Sequence, residues 1–185
     1  MINYEVCFAH HQGRQVDKWQ HYFAIYDRHL ARYQGRAPRV LEIGVDHGGS
    51  LELWQAYFGT GASIVGIDIR PECYFQAPGL EIHVGDQTDV TFLRSLGSFD
   101  IVIDDGSHQV AHQQATFAEM WPKTKGVYLI EDCHERFPAL VPTPELVTRY
   151  PWVVVAEKPK RLIRGTPARE LRPDEQAAKD ASGQN

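Results

Sequence analysis

The sequence predicts an α/β protein: a Rossmann-like, doubly wound, mostly parallel sheet of seven strands that closes in a C-terminal antiparallel hairpin. Three observations lead there. Strand-like and helix-like segments alternate from Arg39 to Asp132, the pattern of strands joined by helical crossovers. Several strand candidates are near-continuous Val/Ile/Leu runs, as expected of strands covered on both faces. The runs then stop at glycines and carboxylates, on the rim where such sheets bind ligands.

The elements follow in order. Trp19, Tyr22, Phe23, Tyr26, Leu30 and Tyr33 recur at three- and four-residue steps and predict an amphipathic helix over 18–33, either a core-facing stripe or a lid. "QGRAP" breaks it, because Pro38 disfavours helical geometry at Ala37. "RVLEIG" reads as a strand and "SLELWQAYF" as a helix opened by Ser50. "ASIVGID" and "LEIHVGD" read as strands separated by only about ten residues, too few for a full crossover helix. "TDVTFLRSL" reads as a short helix capped by Thr88, "FDIVIDD" as a strand, "QVAHQQATFAEMW" as a helix closed by Pro122 and "GVYLIED" as a strand. "PELVTRY" suggests one or two helical turns, and "WVVVAEK" with "RLIRG" a closing antiparallel pair. The expected organisation is an aromatic N-terminal helix within 1–36, a core domain over 37–165 and a polar, poorly ordered tail over 166–185.

Composition narrows the function. The chain has 185 residues and a net charge of -5, which argues against a nucleic-acid binder. No run approaches a membrane span, and the start lacks the layout of a signal peptide. Cys7, Cys73 and Cys133 form neither a disulfide framework nor a zinc knuckle. A reducing cytoplasm is the expected setting. The oligomeric state stays open between monomer and homo-oligomer.

Two sites are expected. "VLEIGVDHGGSLELW" joins strand to helix through Gly44, Gly48, Gly49 and Ser50, with glycines that permit close backbone approach to a ligand. Asp46 stands where a dinucleotide fingerprint has its second glycine, which conflicts with a nicotinamide dehydrogenase. Glu42 favours a ligand with a cationic end. Asp68 suits ribose hydroxyls, and Asp86 and Gln87 suit an adenine edge. At the second site "IDDGSH" and "LIEDCHE" end the next two strands. Asp104, Asp105, Glu131 and Asp132 there would repel one another, and a hard divalent cation such as Mg²⁺ relieves this. His108 suits removal of a proton from a substrate hydroxyl.

"EIGVDHGGSL", "VGIDI" and "VGDQTD" resemble the motifs of class I S-adenosylmethionine-dependent methyltransferases. "IDDGSH", "LIED", and "DKW" followed by an aromatic helix and "RHL" resemble one branch, the magnesium-dependent sugar O-methyltransferases of macrolide biosynthesis, over about Asp17 to Glu135. Cephalosporin hydroxylase-like proteins are more distantly similar. The resemblance implies that Glu42, Gly44 and Gly48 lie near the methionine part of the cofactor, with Ser50 beside them. It puts Asp68 on the ribose, Asp86 and Gln87 on the adenine, and Asp104 on the cofactor side. It implies Asp105, Glu131 and Asp132 as metal ligands and His108 as general base; as a departure from the family, "DCHERF" adds His134 next to the site as a second candidate for base or ligand. The implied reaction is methylation of a hydroxyl on a sugar of a glycan or glycosylated natural product. Hydroxylation or hydrolysis at the same metal rim, and a non-catalytic nucleotide-binding subunit, are the alternatives. The chain departs from the macrolide enzymes in its short connection after Asp68 and in lacking their additional N-terminal region.

Overall fold

The computed structural model describes residues 1–133 and 146–158. The elements are α1 (Tyr4–Ala9), α2 (Gln20–Leu30), β1 (Arg39–Ile43), α3 (Gly49–Phe58), β2 (Ser63–Asp68), β3 (Leu80–Val84), α4 (Val90–Ser95), β4 (Phe99–Asp104), α5 (Val110–Met120), β5 (Thr124–Ile130), β6 (Leu146–Tyr150) and β7 (Val153–Glu157). They build one sheet in the order β3-β2-β1-β4-β5-β7-β6. Pairings are parallel from β3 through β5, and β7 is antiparallel to both β5 and β6. The seven-stranded, doubly wound α/β expectation holds.

Side chains alternate along each strand and therefore split into two cores. Val40, Ile64, Ile101, Ile103, Val127 and Leu129 pack under α1, α2 and α3. Leu41, Val65, Val102, Tyr128 and Ile130 pack against α4 and α5. Tyr22, Phe23 and Tyr26 of α2 are buried. Tyr4 of α1 meets Phe23, Tyr26, Trp54 and Tyr57 at ring-centroid distances of 4.7–5.6 Å, so the N-terminal segment is built into the same core. The short link after Asp68 is a single 3-10 turn, Pro71–Cys73.

Several local expectations need correction. The cap of α4 is Asp89, not Thr88: its carboxylate accepts the N–H groups of Thr91 and Phe92, while Thr88 donates to Asp86. Helix α3 starts at Gly49, with left-handed Gly48 as its cap, one residue before Ser50. "LVTRY" is strand β6 rather than helical turns. Its β-branched residues pair with β7 from Leu146↔Glu157 to Tyr150↔Val153, and sheet pairing overrides a weak local helical preference. The closing hairpin is thus β6–β7, with β7 flanked by β5 and β6; "RLIRG" and the tail lie outside the described residues.

Candidate active site

Four strands deliver their carboxyl ends to one level. Ile43 sits beside Ile67 and Asp104, and Asp104 beside Ile130. The pairing runs on past the strands: Gly44 N–H donates to Ile67 O, Asp105 N–H to Ile43 O, and Glu131 N–H to Asp104 O, at 2.8–2.9 Å. Chain order reverses between β1 and β4, the switch point where doubly wound sheets bind ligands. A cleft of about 740 Å³ opens there, lined among others by Gly44, Gly49, Ser50, Asp68, Gln87, Asp105, His108, Glu131 and Asp132. Glu42, Gly48, Asp86 and Asp104 are not in its lining.

The glycine loop is shaped as much by the protein's own chain as by room for a ligand. A Cβ on Gly44 (φ 92°) would collide with the backbone of Asp105. One on Gly49 would collide with the carbonyls of Arg14 and Gln15, which cross over the loop. Glu42 is fully buried, accepting from Ser50 Oγ (2.7 Å) and Trp54 Nε1 (3.1 Å). Burial raises its pKa, opposed by Lys18 and these donors. Asp68 accepts N–H groups of Val45, Asp46 and Arg70 at 2.9–3.1 Å. Burial works to raise its pKa, but these backbone donors outweigh it and hold the carboxyl below its usual value. Asp86 accepts from Thr88 N–H and Oγ1.

Gln87 is fully engaged. Its Oε1 accepts Ser107 N–H (2.7 Å), and its Nε2 donates to Asp104 (3.3 Å) and Thr116 Oγ1 (3.1 Å). It therefore ties the end of β3 to the loop that carries Asp105 and His108. Asp104 is wholly buried, and burial pushes its carboxyl up to about 7 despite donors that include Tyr128.

The two acidic pairs divide alike. Asp104 and Glu131, the first of each pair, are buried. Asp105 and Asp132, the second, face the cleft and lie with His108 in one cluster whose potential ligand atoms are all within 4.8 Å of one another. Their side chains are 23, 35 and 42% exposed in the order Asp105, Asp132, His108. Two carboxylates and one imidazole, open to solvent on one side, fit a divalent cation that retains positions for water or substrate. His108 Nε2 lies 3.8 Å from Asp132 Oδ2, while its buried Nδ1 has no partner among the described residues. Tyr22 OH donates to Asp132 Oδ1 (2.6 Å).

Glu131 faces a residue that sequence reasoning did not place there. Lys18 Nζ, 3% exposed, reaches Asp105 at 2.5 Å, Glu131 at 2.8 Å and Glu42 at 3.6 Å. Tyr26 OH donates to the other Glu131 oxygen (2.7 Å). Burial works against the charge on Lys18, but Asp105, Glu131 and Glu42 hold its pKa well above the ordinary lysine value. Burial raises the Glu131 carboxyl, and Lys18 opposes it. One ammonium thus serves three carboxyl groups, two of which, Glu42 and Glu131, burial pushes toward the neutral form. The only trace of Lys18 in the sequence is its place in "DKW", beside the aromatic helix. His134 lies outside the described residues.

No family model matches the chain. It is 39% identical over 137 residues to the 8-demethyl-8-(2-methoxy-alpha-L-rhamnosyl)-tetracenomycin-C 3'-O-methyltransferase of Streptomyces olivaceus, covering 67% of this chain and 35% of that protein. It is 42% identical over 120 residues to the mycinamicin VI 2''-O-methyltransferase of Micromonospora griseorubida, covering 58% and 30%. The chain thus spans about a third of the length of these curated relatives. Among solved structures it is similar to MycE methyltransferase from the mycinamycin biosynthetic pathway, in complex with Mg, SAH and mycinamycin VI, with a TM-score of 0.72 and 26% identity. That match covers 98% of this chain and 59% of MycE. The fold is that of class I S-adenosylmethionine-dependent methyltransferases, and the chain is a relative of sugar O-methyltransferases over the part they share.

Proposed function

We propose that this chain is the catalytic part of an S-adenosylmethionine- and magnesium-dependent O-methyltransferase acting on a hydroxyl of a sugar in a glycosylated natural product. The observation that carries this reading is the meeting of Asp105, His108 and Asp132 at the mouth of the glycine-lined cleft. The relatives' names, each an O-methyltransferase of a sugar-bearing compound, favour the same chemistry.

The cofactor, when bound, supplies a methyl group on a sulfonium centre, and the metal supplies Lewis acidity that lowers the pKa of a hydroxyl. Gly44, Ser50 and Asp68 line the wall that would hold the cofactor. Buried Glu42 contributes negative charge behind that wall, and Ser50 fixes it in place. Gln87 holds the Asp105–His108 loop through Ser107 N–H instead of leaving its amide open toward a base. Asp105 and Asp132 would hold the metal. Glu131, engaged by Lys18 and Tyr26, would set the charge behind it.

His108 would accept the acceptor's proton, with a carboxylate oxygen of Asp132 3.8 Å from Nε2 and opposite in charge to the imidazolium formed. Methyl transfer needs chiefly alignment and exclusion of water. The test is transfer of labelled methyl from S-adenosylmethionine to a rhamnosylated acceptor with Mg²⁺ present. Transfer abolished by chelator and restored by Mg²⁺ is the expected result. Failure to bind either S-adenosylmethionine or its demethylated product overturns the reading.

A further inference from the structure

Beside the cofactor cleft lies a second cleft of about 390 Å³, lined by Trp19, His21, His108, Asp132 and Trp152. Its volume falls within the roughly 300–1,000 Å³ of small-molecule sites. Trp19, His108 and Asp132 line both clefts, so the proposed base stands on the boundary between them. A reacting hydroxyl must come to His108 from the side opposite the methyl donor, because substitution at the methyl carbon is in line. This second cleft is on offer for that approach.

We propose that Trp19 and Trp152 form the acceptor subsite, stacking the C–H face of a neutral deoxysugar so that one ring hydroxyl meets His108. The inference rests on the methyl-transfer reading above and names the residues that would hold its acceptor. Both indoles are open, Trp19 at 63% and Trp152 at 45% exposure, although indoles are normally drawn inside. A flat aromatic face with a polar edge suits a sugar ring, whose apolar C–H face lies against the indole while hydroxyls point outward. An apolar wall favours a sugar with a methyl group where a hexose has a hydroxymethyl. Asp105, Asp132 and Glu131 beside the cleft disfavour a phosphorylated or otherwise anionic acceptor.

The platform is also built in. Cys133 N–H donates to Trp152 O (2.8 Å), and Tyr22 OH bridges Asp132 Oδ1 (2.6 Å) and Trp152 O (3.4 Å). The hairpin turn bearing Trp152 is thereby held to the strand end bearing Asp132. Trp152 has φ 65°, His108 57° and Asp132 51°, three of the five non-glycine residues with positive φ among those described. A left-handed backbone is uncommon for a bulky side chain and is retained where the surroundings enforce it. Here all three line one cleft.

The experiment is saturation-transfer NMR of methyl α-L-rhamnopyranoside with the whole chain, S-adenosylhomocysteine and Mg²⁺. Saturation should reach the sugar's C–H protons in the wild type. Trp152→Ala should weaken rhamnoside binding about tenfold, the size of one lost stacking contact. It should leave S-adenosylhomocysteine affinity by calorimetry unchanged, which also reports that the variant is folded. Trp152→Phe should retain most of the binding, and Trp19→Ala should weaken it. Methyl α-L-mannopyranoside, which carries the extra 6-hydroxyl, should bind more weakly than the rhamnoside.

No rhamnoside binding by the wild type, or equal binding by both alanine variants, overturns the subsite. So does an alanine variant that dissociates a self-association while sugar binding persists, since the cleft would then face a second copy. Absence of S-adenosylhomocysteine binding instead defeats the methyl-transfer reading. The sugar signal, recorded separately without cofactor, still tests the tryptophans.

Discussion

At the tips of β1 and β2, carboxylates are taken up by the protein's own donors. Glu42 accepts from Ser50 and Trp54, and Asp68 from three backbone N–H groups of its own loops. At the tips of β4 and β5 each acid is doubled. The first carboxylate of each pair is buried, and the second faces the cleft beside His108. The β1–β2 half of the rim therefore uses acids to brace a loop. The other half gathers its acids around buried Lys18, which reaches Asp105 and Glu131. A single carboxylate at a strand end is absorbed by the protein's own donors, whereas each doubled pair buries one acid and leaves the other facing the cleft.

The largest expected effect probes that balance. Lys18→Met strands Asp105, Glu131 and Glu42 without their ammonium and should destabilise the fold by about 3–5 kcal/mol in urea unfolding. Adding Glu131→Gln should recover part of the loss; a fully additive double variant breaks the charge argument. Next, Asp105→Asn or Asp132→Asn should lower methyl transfer about 100-fold while S-adenosylhomocysteine affinity changes little. A loss of cofactor affinity instead would place these acids with the bracing half. Gln87→Leu unpairs Ser107 N–H and should lower kcat about tenfold with little change in cofactor Kd. A selective loss of cofactor affinity would return Gln87 to adenine reading.

The smallest effect lies away from both halves. His29 Nε2 is 2.7 Å from Tyr150 OH and its Nδ1 is 3.4 Å from Glu157, with Arg28 and Arg32 also acting on it. Burial lowers its pKa below 6.5, outweighing Glu157. The unfolded chain then binds the proton more readily, so stability is present above about pH 6.5 and is lost as pH falls through the folded value. Buried Asp104 and Glu131, whose carboxyls are raised, act in the opposite sense, so the measurement is a difference: relative to wild type, His29→Gln should gain about 1 kcal/mol or less in thermal unfolding as pH falls below 6.5.

Much of this was legible in the sequence because it depends on local pattern. Alternating Val/Ile/Leu runs and helical periodicity yield the order of elements through β5, and acids at the strand ends mark the rim. The errors came where local signals are weak or shared: Thr88 and Asp89 are both good caps, and "LVTRY" is short enough to read either way. For the site, "IDDGSH" and "LIED" point to a shared acidic rim, but not to which acid of each pair faces in. That depends on side-chain direction at the strand end and on neighbours 17 to 113 residues away.

The class of fold and the residue types on the rim follow from sequence, because strand periodicity and strand-end composition are properties of neighbouring residues. How those groups are paired comes from tertiary contacts. They engage Gln87 with Ser107 N–H and place buried Lys18 between Asp105 and Glu131. They also bring Trp152, from a hairpin distant in the chain, to the same cleft as Trp19 and His108. Contacts of that range are set by the register of the whole sheet and the packing of α2 upon it, which no short stretch of sequence encodes.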